Sequence, residues 1–322
     1  MKRETLMDVE AASRSRTRAP GNLVGARRRQ LPTRVVAGRL VFLLPVTVFL
    51  LLMFAYPMAF NFWLTFQSYD LASLVTGASE FVGLDNIVTA INDPGFAGAA
   101  VNTAVFTVVS LVVQFVIGLG LALFFYNRFP LSTTIRALLV LPWLVPSIVA
   151  TTAWRFIFQD PNGFLNQLLG HFGVPPVHWL TSSDTALLSI IIVNIWIGIA
   201  FNLVLLHSGL QSIPTERYEA AQIDGAGYWQ RFWYITVPAL GPVTAVLLVL
   251  GFVYTLKQFD LVWTLTQGGP GNSSQLLSTW SYTLSFNNNN FGQGAAVADF
   301  LFVASGIVIV FYTLVQRRQN NA

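Results

Sequence analysis

The chain has 322 residues, 54% hydrophobic and only 10% charged, with a mean hydropathy of +0.60. Soluble domains carry roughly a quarter charged residues, so an ordinary soluble fold is excluded. The net charge of +4 is no nucleic-acid footprint either: ten of the 18 Lys and Arg fall before residue 40, and most others flank apolar runs.

Residues 1–34 are rich in Arg, Ala, Ser and Thr without apolar periodicity, which predicts a disordered, basic cytoplasmic tail. Arg27-Arg28-Arg29 ahead of an apolar run resembles the start of a signal peptide. The run from Leu40 to Met58 is longer than a signal core of about 7–15 residues, and no Ala-x-Ala-like cleavage site follows, so it reads as a retained anchor. Residues 35–322 read as one all-α, polytopic membrane domain. A helix crosses a bilayer core with about 20 mainly apolar residues, and six windows meet or approach that length. They are Leu40–Phe66, Gly98–Tyr126, Thr133–Phe158, Thr185–Leu210, Ala239–Thr266 and Ala295–Gln316. The third is the weakest, since Arg136 and Arg155 bracket its apolar middle. Pro45, Pro57, Pro142, Pro146 and Pro242 lie inside these windows. Each removes a backbone donor that lipid cannot replace, which favours kinked helices around a cavity; proline is also simply more frequent in membrane helices than in soluble ones.

The connecting segments alternate in charge. Segment 67–97 holds Asp70, Glu80, Asp85 and Asp93, segment 159–184 holds Asp160 and Asp184, and segment 267–294 has no charge. The opposite side carries the Arg-rich tail, Arg128 and Arg136, Arg217 and Arg231, and Arg317-Arg318. The positive-inside rule then places both termini, and the loop at 211–238, in the cytoplasm.

That loop reads as short helix, turn, short helix. Pro214, Thr215 and Glu216 form a helix start with an acid in the first turn. Glu219, Ala220 and Ala221 continue the helix, and Asp224-Gly225 ends it, because Gly accepts the left-handed conformation. Tyr228, Trp229, Phe232 and Trp233 follow, and Pro238 opens the fifth span. This aromatic surface needs cover from headgroups, from the bundle or from a protein; an amphipathic interfacial loop would carry the same pattern.

Glu219-Ala220-Ala221, three residues, Gly225, nine residues, then Ile235-x-Val237-Pro238 resembles the EAA motif of membrane subunits of binding-protein-dependent ATP-binding-cassette importers. The string from Tyr218 to Ala226 is similar to the carbohydrate-uptake branch, typified by maltose and glycerol-3-phosphate permeases. Val237 stands where Leu is usual. Asn102-Thr103, Leu141-Pro142, and Phe259-Asp260 through Thr266-x-Gly268-Gly269-Pro270 add to the likeness, which covers residues 36–316. The resemblance implies the type I ABC importer permease fold in a bacterial inner membrane. It implies a coupling helix (Glu219, Ala220, Ala221, Asp224 and Gly225) seated in a cytoplasmic ATPase dimer, whose closure turns the cavity from inward- to outward-facing. A second, homologous permease and an extracytoplasmic solute-binding protein are the other implied partners. It also implies a sugar path matching Asn194, Trp196, Ile197, Gly198 and Phe201 in span four, and Gly251, Tyr254, Thr255 and Gln258 in span five. Each of these side chains would serve equally as polar or small-residue packing between helices.

Lys257 and Asp260 lie three apart on one expected helix face and would pair. Asp299 and Arg155, near the outer ends of their spans, would pair or meet headgroups. His207 reads as a helix-interface residue. His171 and His178 have no metal-ligand spacing around them, there is no Cys, and no G-x-x-x-x-G-K-[ST] occurs. The reading therefore calls for no metal, no cofactor and no nucleotide on this chain. A secondary transporter would show inverted repeats around midplane charges, and a membrane enzyme would show convergent acids or a Ser–base pair; neither pattern is evident. The cargo reads as a neutral sugar, with polyols and glycerol-3-phosphate as alternatives, because a phosphate ligand calls for fixed cations and Lys257 is the one deep candidate.

Overall fold

The computed structural model describes residues 33–127 and 129–320. The expected tail lies outside the described residues except for its last two positions, and so does Arg128. The chain divides into two compact units, Met1–Pro57 and Met58–Ala322.

The first unit holds α1 (Thr33–Leu50), which runs into a π-helical turn at Leu51–Ala55. Pro45 sits inside α1 without ending it. Side chains from Phe42 to Tyr56 are exposed, as suits an all-round apolar helix whose surroundings are lipid.

α2 (Tyr56–Thr65) carries the chain into the second unit. A two-stranded antiparallel ribbon follows, β1 (Gln67–Ser68) against β2 (Glu80–Phe81), with Gln67 opposite Phe81 and Ser68 opposite Glu80. Between the strands lies α3 (Leu71–Thr76), capped by the Asp70 carboxylate accepting from the Ser73 N–H at 2.8 Å. After α4 (Asp85–Asn92) comes α5 (Pro94–Tyr126). Its start is written locally: the Asp93 side chain accepts from the Gly95 N–H at 2.7 Å, and Pro94 takes the first turn, where no donor is needed.

The expected third span is not one helix. It is α6 (Ser132–Leu144) and α7 (Ser147–Ile157), bent by 99°. Proline disfavours helical backbone in the residue before it, and Val145, ahead of Pro146, is extended at ψ 132°. Pro142, one turn earlier, is accommodated inside α6. Next come α8 (Phe164–Gly170), α9 (Ala186–Gln211), α10 (Thr215–Ile223) and α11 (Tyr228–Arg231). Another π-helical turn, Phe232–Thr236, joins α11 to α12 (Val237–Leu256). The fifth span therefore starts at Tyr228, earlier than expected, and stops at Leu256; the remainder of the expected window is the separate α13 (Asp260–Leu265). Segment 267–294, read from the sequence only as an uncharged connection, contains α14 (Leu277–Tyr282) and a π-helical turn at Thr283–Asn287 before α15 (Phe291–Asn320). Among the described residues five helices are long and apolar enough to cross a bilayer, and there are six crossings if the bent α6–α7 pair counts as one span.

α9 is the central helix, with half of its residues buried. It crosses α5 with reciprocal small residues. A side chain at Gly198 would fall on the Gln114 amide, and one at Gly118 would fall on Asn202. The pairs 114–198 and 118–202 rise together, so α5 and α9 run in the same direction, as alternate crossings must. One core joins Phe106, Phe158, Ile190 and Leu261; another, at the C-terminal ends of α5 and α9 and the start of α12, joins Phe125, Leu206, Leu210 and Leu240. A third binds α14 and α15 to α5 through Trp280, Leu284, Val297 and Ala99.

Candidate functional site

The polar loop between α9 and α12 is more ordered than a linker. Helix α10 ends in a Schellman motif: the Ala226 N–H donates to Ala221 O at 2.8 Å, and the Gly225 N–H donates to Gln222 O at 3.0 Å. Gly225 has φ +81°, the left-handed value the motif demands. The next helix is opened by Gln230, whose side-chain oxygen accepts from the Gly227 N–H at 2.8 Å. Tyr218 turns inward, packs against the core around Leu210 and Leu240, and shares a 2.9 Å hydrogen bond with the Thr236 hydroxyl. That contact struts α10 against the foot of α12. Glu219, Ala220, Asp224 and Gly225 are exposed and Ala221 half-buried, all at one end of α10. Beside them Ile223, Trp229 and Tyr234 present apolar surface, at 87%, 68% and 80% exposure.

The residues matched to a sugar path separate into two kinds. Asn194, Ile197 and Gly198 face packing partners: Asn194 O accepts from Gln114 Nε2 at 2.9 Å, and Ile197 packs on the core around Phe106. Gly251 lies close to Leu111, where an added Cβ would come within 2.8 Å of Cδ2, and Thr255 is buried. Trp196 meets Trp154 edge-on at 5.6 Å, and Phe201 meets Trp143 at 5.8 Å, so both face the broken α6–α7 span. Tyr254 is 60% exposed. Gln258 lies in the break after α12, and its carbonyl accepts from Ser278 Oγ at 2.7 Å.

The expected charge pairs form otherwise. Lys257 and Asp260 do not share a helix face, because α12 stops at Leu256 and α13 begins at Asp260; Lys257 Nζ instead lies 5.4 Å from the Tyr254 ring centroid. Asp299 does not pair with Arg155. Its carboxylate accepts from Asn61 Nδ2 and from Thr65 Oγ1, each at 2.7 Å. The single contact of an acid with a basic side chain among the described residues joins His178 to Asp160 in a connecting loop. His207 is buried between helices, with Arg136 Nη1 at 2.8 and 3.1 Å from its ring nitrogens and Phe125 O at 3.3 Å.

Two features escaped the sequence. Asn102 and Thr103 tie α5 to the Gly-Gly-Pro loop: Asn102 Nδ2 donates to the carbonyls of Ser273 and Gln275, each at 3.1 Å, and Thr103 Oγ1 accepts from the Leu277 N–H at 2.9 Å. These strings, far apart in sequence, form one structural unit. The second is a cavity of about 780 Å³ bounded by α2, α12, α14 and α15. Ser278, Ser281 and Ser285 reach it at helical spacing, a signal visible in the sequence once that segment is read as helix. At one end of the cavity rings touch in series, Tyr69–Phe291–Phe286–Tyr282–Trp263–Phe259, at centroid distances of 4.5–6.3 Å.

Among the described residues five long apolar helices, a bent α6–α7 pair and a rigid capped helix in the polar loop define a polytopic helical membrane protein of the permease kind. A family model described as the binding-protein-dependent transport system inner membrane component matches residues 114–321. The trehalose/maltose transport system permease protein MalF of Thermococcus litoralis is 33% identical over 273 residues, covering 85% of this chain and 90% of that protein. The diacetylchitobiose uptake system permease protein DasB of Streptomyces coelicolor is 28% identical, covering 94% of each. Among solved structures, a bacterial ABC transporter involved in the import of the acidic polysaccharide alginate matches with a TM-score of 0.76 at 24% identity, over 89% of this chain and 98% of that one. The chain belongs to the family of inner-membrane components of binding-protein-dependent transport systems, and its fold is the type I ABC importer permease fold.

Proposed function

We propose that this permease carries a neutral sugar delivered by an extracytoplasmic binding protein, and that loop 211–238 is the handle by which a separate ATPase dimer drives it. The carrying observation is the Schellman-capped α10, strutted through Tyr218 to α12, with Glu219, Ala220, Asp224 and Gly225 turned to solvent. A rigid helical element transmits a partner's rigid-body motion where a flexible loop would absorb it. Two alanines in succession keep the helix thin, so a partner's surface approaches its backbone closely. ATP is hydrolysed on the partner, and a second, homologous permease completes the bundle. The charge alternation along the sequence supports cytoplasmic termini, with residues 1–34 as a basic tail and 35–322 as the permease domain.

The sugar class rests on relatives named for trehalose/maltose and diacetylchitobiose transport. Asn194, Trp196, Ile197, Gly198, Phe201, Gly251, Tyr254, Thr255 and Gln258 are the proposed path, completed by the second permease. Lys257 lines a cavity that none of these residues lines, in keeping with an uncharged cargo. The test is purification of the tagged chain with its neighbours, followed by sugar- and binding-protein-stimulated ATP hydrolysis in proteoliposomes. Glu219→Lys is expected to abolish stimulation at unchanged membrane abundance. Labelling of Tyr218–Gly227 from the outside of intact cells would overturn the reading.

A further inference from the structure

The cavity bounded by α2, α12, α14 and α15 has a composition that fits one ligand class. Most of its polar lining is already engaged: Ser281 Oγ donates to Gly294 O at 2.7 Å, Ser305 Oγ to Leu301 O at 2.8 Å, and Ser278 Oγ to Gln258 O at 2.7 Å. A sugar, with several hydroxyls to satisfy, finds few free partners there. The rings at its end meet mostly tilted or edge-on, with interplanar angles of 77° and 89° at Phe291, so they form no flat lane for stacking pyranoses. What remains is an apolar groove along α15, past Ala298, Phe302 and Gly306 to Ile309, with one charged lining residue, Lys257. Lys257 has no acid partner among the described residues, and the acid on α15, Asp299, is held by Asn61 and Thr65.

Depth supports the same conclusion. From Trp233, in the aromatic cluster at the foot of the fifth span, to Lys257 is about 36 Å of helix axis. The hydrocarbon core is about 30 Å thick, so Lys257 lies at the opposite headgroup level and not deep in the span as the sequence alone suggests. The chain of Tyr, Trp and Phe rings around it has the make-up of an interfacial aromatic belt. From Phe291 to Ile309 the groove follows about 27 Å of α15, more than the roughly 15 Å of one leaflet's acyl region.

We propose that this groove holds one phospholipid of the leaflet on the Lys257 side, with its phosphate on the Lys257 ammonium and an acyl chain laid along α15 from Ala298 toward Ile309. The site is independent of the transport reading, since it requires only that the chain spans a bilayer.

The test uses the full chain, extracted from native membranes into polymer nanodiscs and then washed in mild detergent before native mass spectrometry. The wild type retains one phospholipid per permease. Lys257→Gln lowers retention on the order of fivefold and Lys257→Glu on the order of thirtyfold, as expected for about one headgroup-level charge removed or reversed. Lys257→Arg retains the lipid. Ala298→Trp keeps the charge but blocks the groove, and loses it. A phosphatidylglycerol with a diazirine on its acyl chain labels Gly294–Ile309 in the wild type, a readout that does not depend on any variant folding. Unchanged retention in both Lys257→Glu and Ala298→Trp, or labelling elsewhere, overturns the proposal. So does displacement by inorganic phosphate alone, which would make Lys257 an ion site. Crosslinking to the second permease from a benzophenone maleimide carried on Phe302→Cys would show that protein, not lipid, fills the groove.

Discussion

Replacing Gly225 tests whether the end of α10 acts as a lever. Gly225 sits at φ +81°, and nothing lies within 4 Å of the place a Cβ would occupy. A substitution there acts through the backbone alone. An L-residue in the left-handed region costs about 1–2 kcal/mol, and about 1.4 kcal/mol is a factor of ten. Gly225→Ala therefore depopulates the capped conformation roughly five- to thirtyfold relative to its alternatives. Asn visits the left-handed region more readily and costs less. Gly225→Pro is the severe case: φ is locked near −65°, and the N–H that donates to Gln222 O is lost, for about 3 kcal/mol or more. The site lies outside the crossings, so membrane abundance by immunoblot stays at the wild-type level. Binding-protein-dependent uptake and stimulated ATP hydrolysis fall in the order Gly, Asn, Ala, Pro. A Pro variant that transports at the wild-type rate and abundance refutes the lever.

Three further outcomes follow from named contacts. Gly198→Ala pushes the Gln114 side chain off Asn194 O, leaving a buried carbonyl and amide to find other partners; a loss of about 1–3 kcal/mol is expected, read as a lower Tm by scanning fluorimetry. Asp299→Leu strips the shared acceptor from Asn61 and Thr65 and lowers Tm by a similar loss of about 1–3 kcal/mol, which Asp299→Asn partly restores; an unchanged Tm in the Leu variant would show that those donors find other partners. The Asp70 carboxyl is held below its ordinary value, chiefly by the Ser73 N–H and then by the Ser73 hydroxyl. A depressed folded value means the cap's contribution is present above the unfolded value and is lost as pH falls through the folded one. Protease access to segment 67–92 should accordingly rise only at strongly acidic pH in the wild type, and be pH-independent in Asp70→Ala.

The long crossings were legible because their apolar runs exceed what any soluble core helix needs, and the helix end at Asp224-Gly225 was legible because left-handed backbone selects Gly. Short elements were hidden: β1 and β2 are two residues each, and α14 lies in a segment whose Asn, Ser and Gly content reads as loop. The bend at Val145–Pro146 was foreshadowed by proline, but a kink and a 99° turn write the same residues. Lys257 and Asp260 misled because a three-residue spacing signifies a shared face only inside one continuous helix. The partner of Asp299 was beyond reach of sequence, since Asn61 and Thr65 lie more than two hundred positions away and neither is charged.

The interlocked crossing of α5 and α9 limits how the molecule moves. Each helix gives up a side chain where the other's amide passes, at Gly118 and Gly198, and sliding by a single residue would drive a Cβ into its neighbour. The two must travel as one piece through any transport cycle. Among the described residues the backbone leaves helical geometry at the extended Val145 and in the gap from Lys257 to Phe259, and freedom to swing resides there. The continuous spans thus supply a frame, and the interrupted ones its joints.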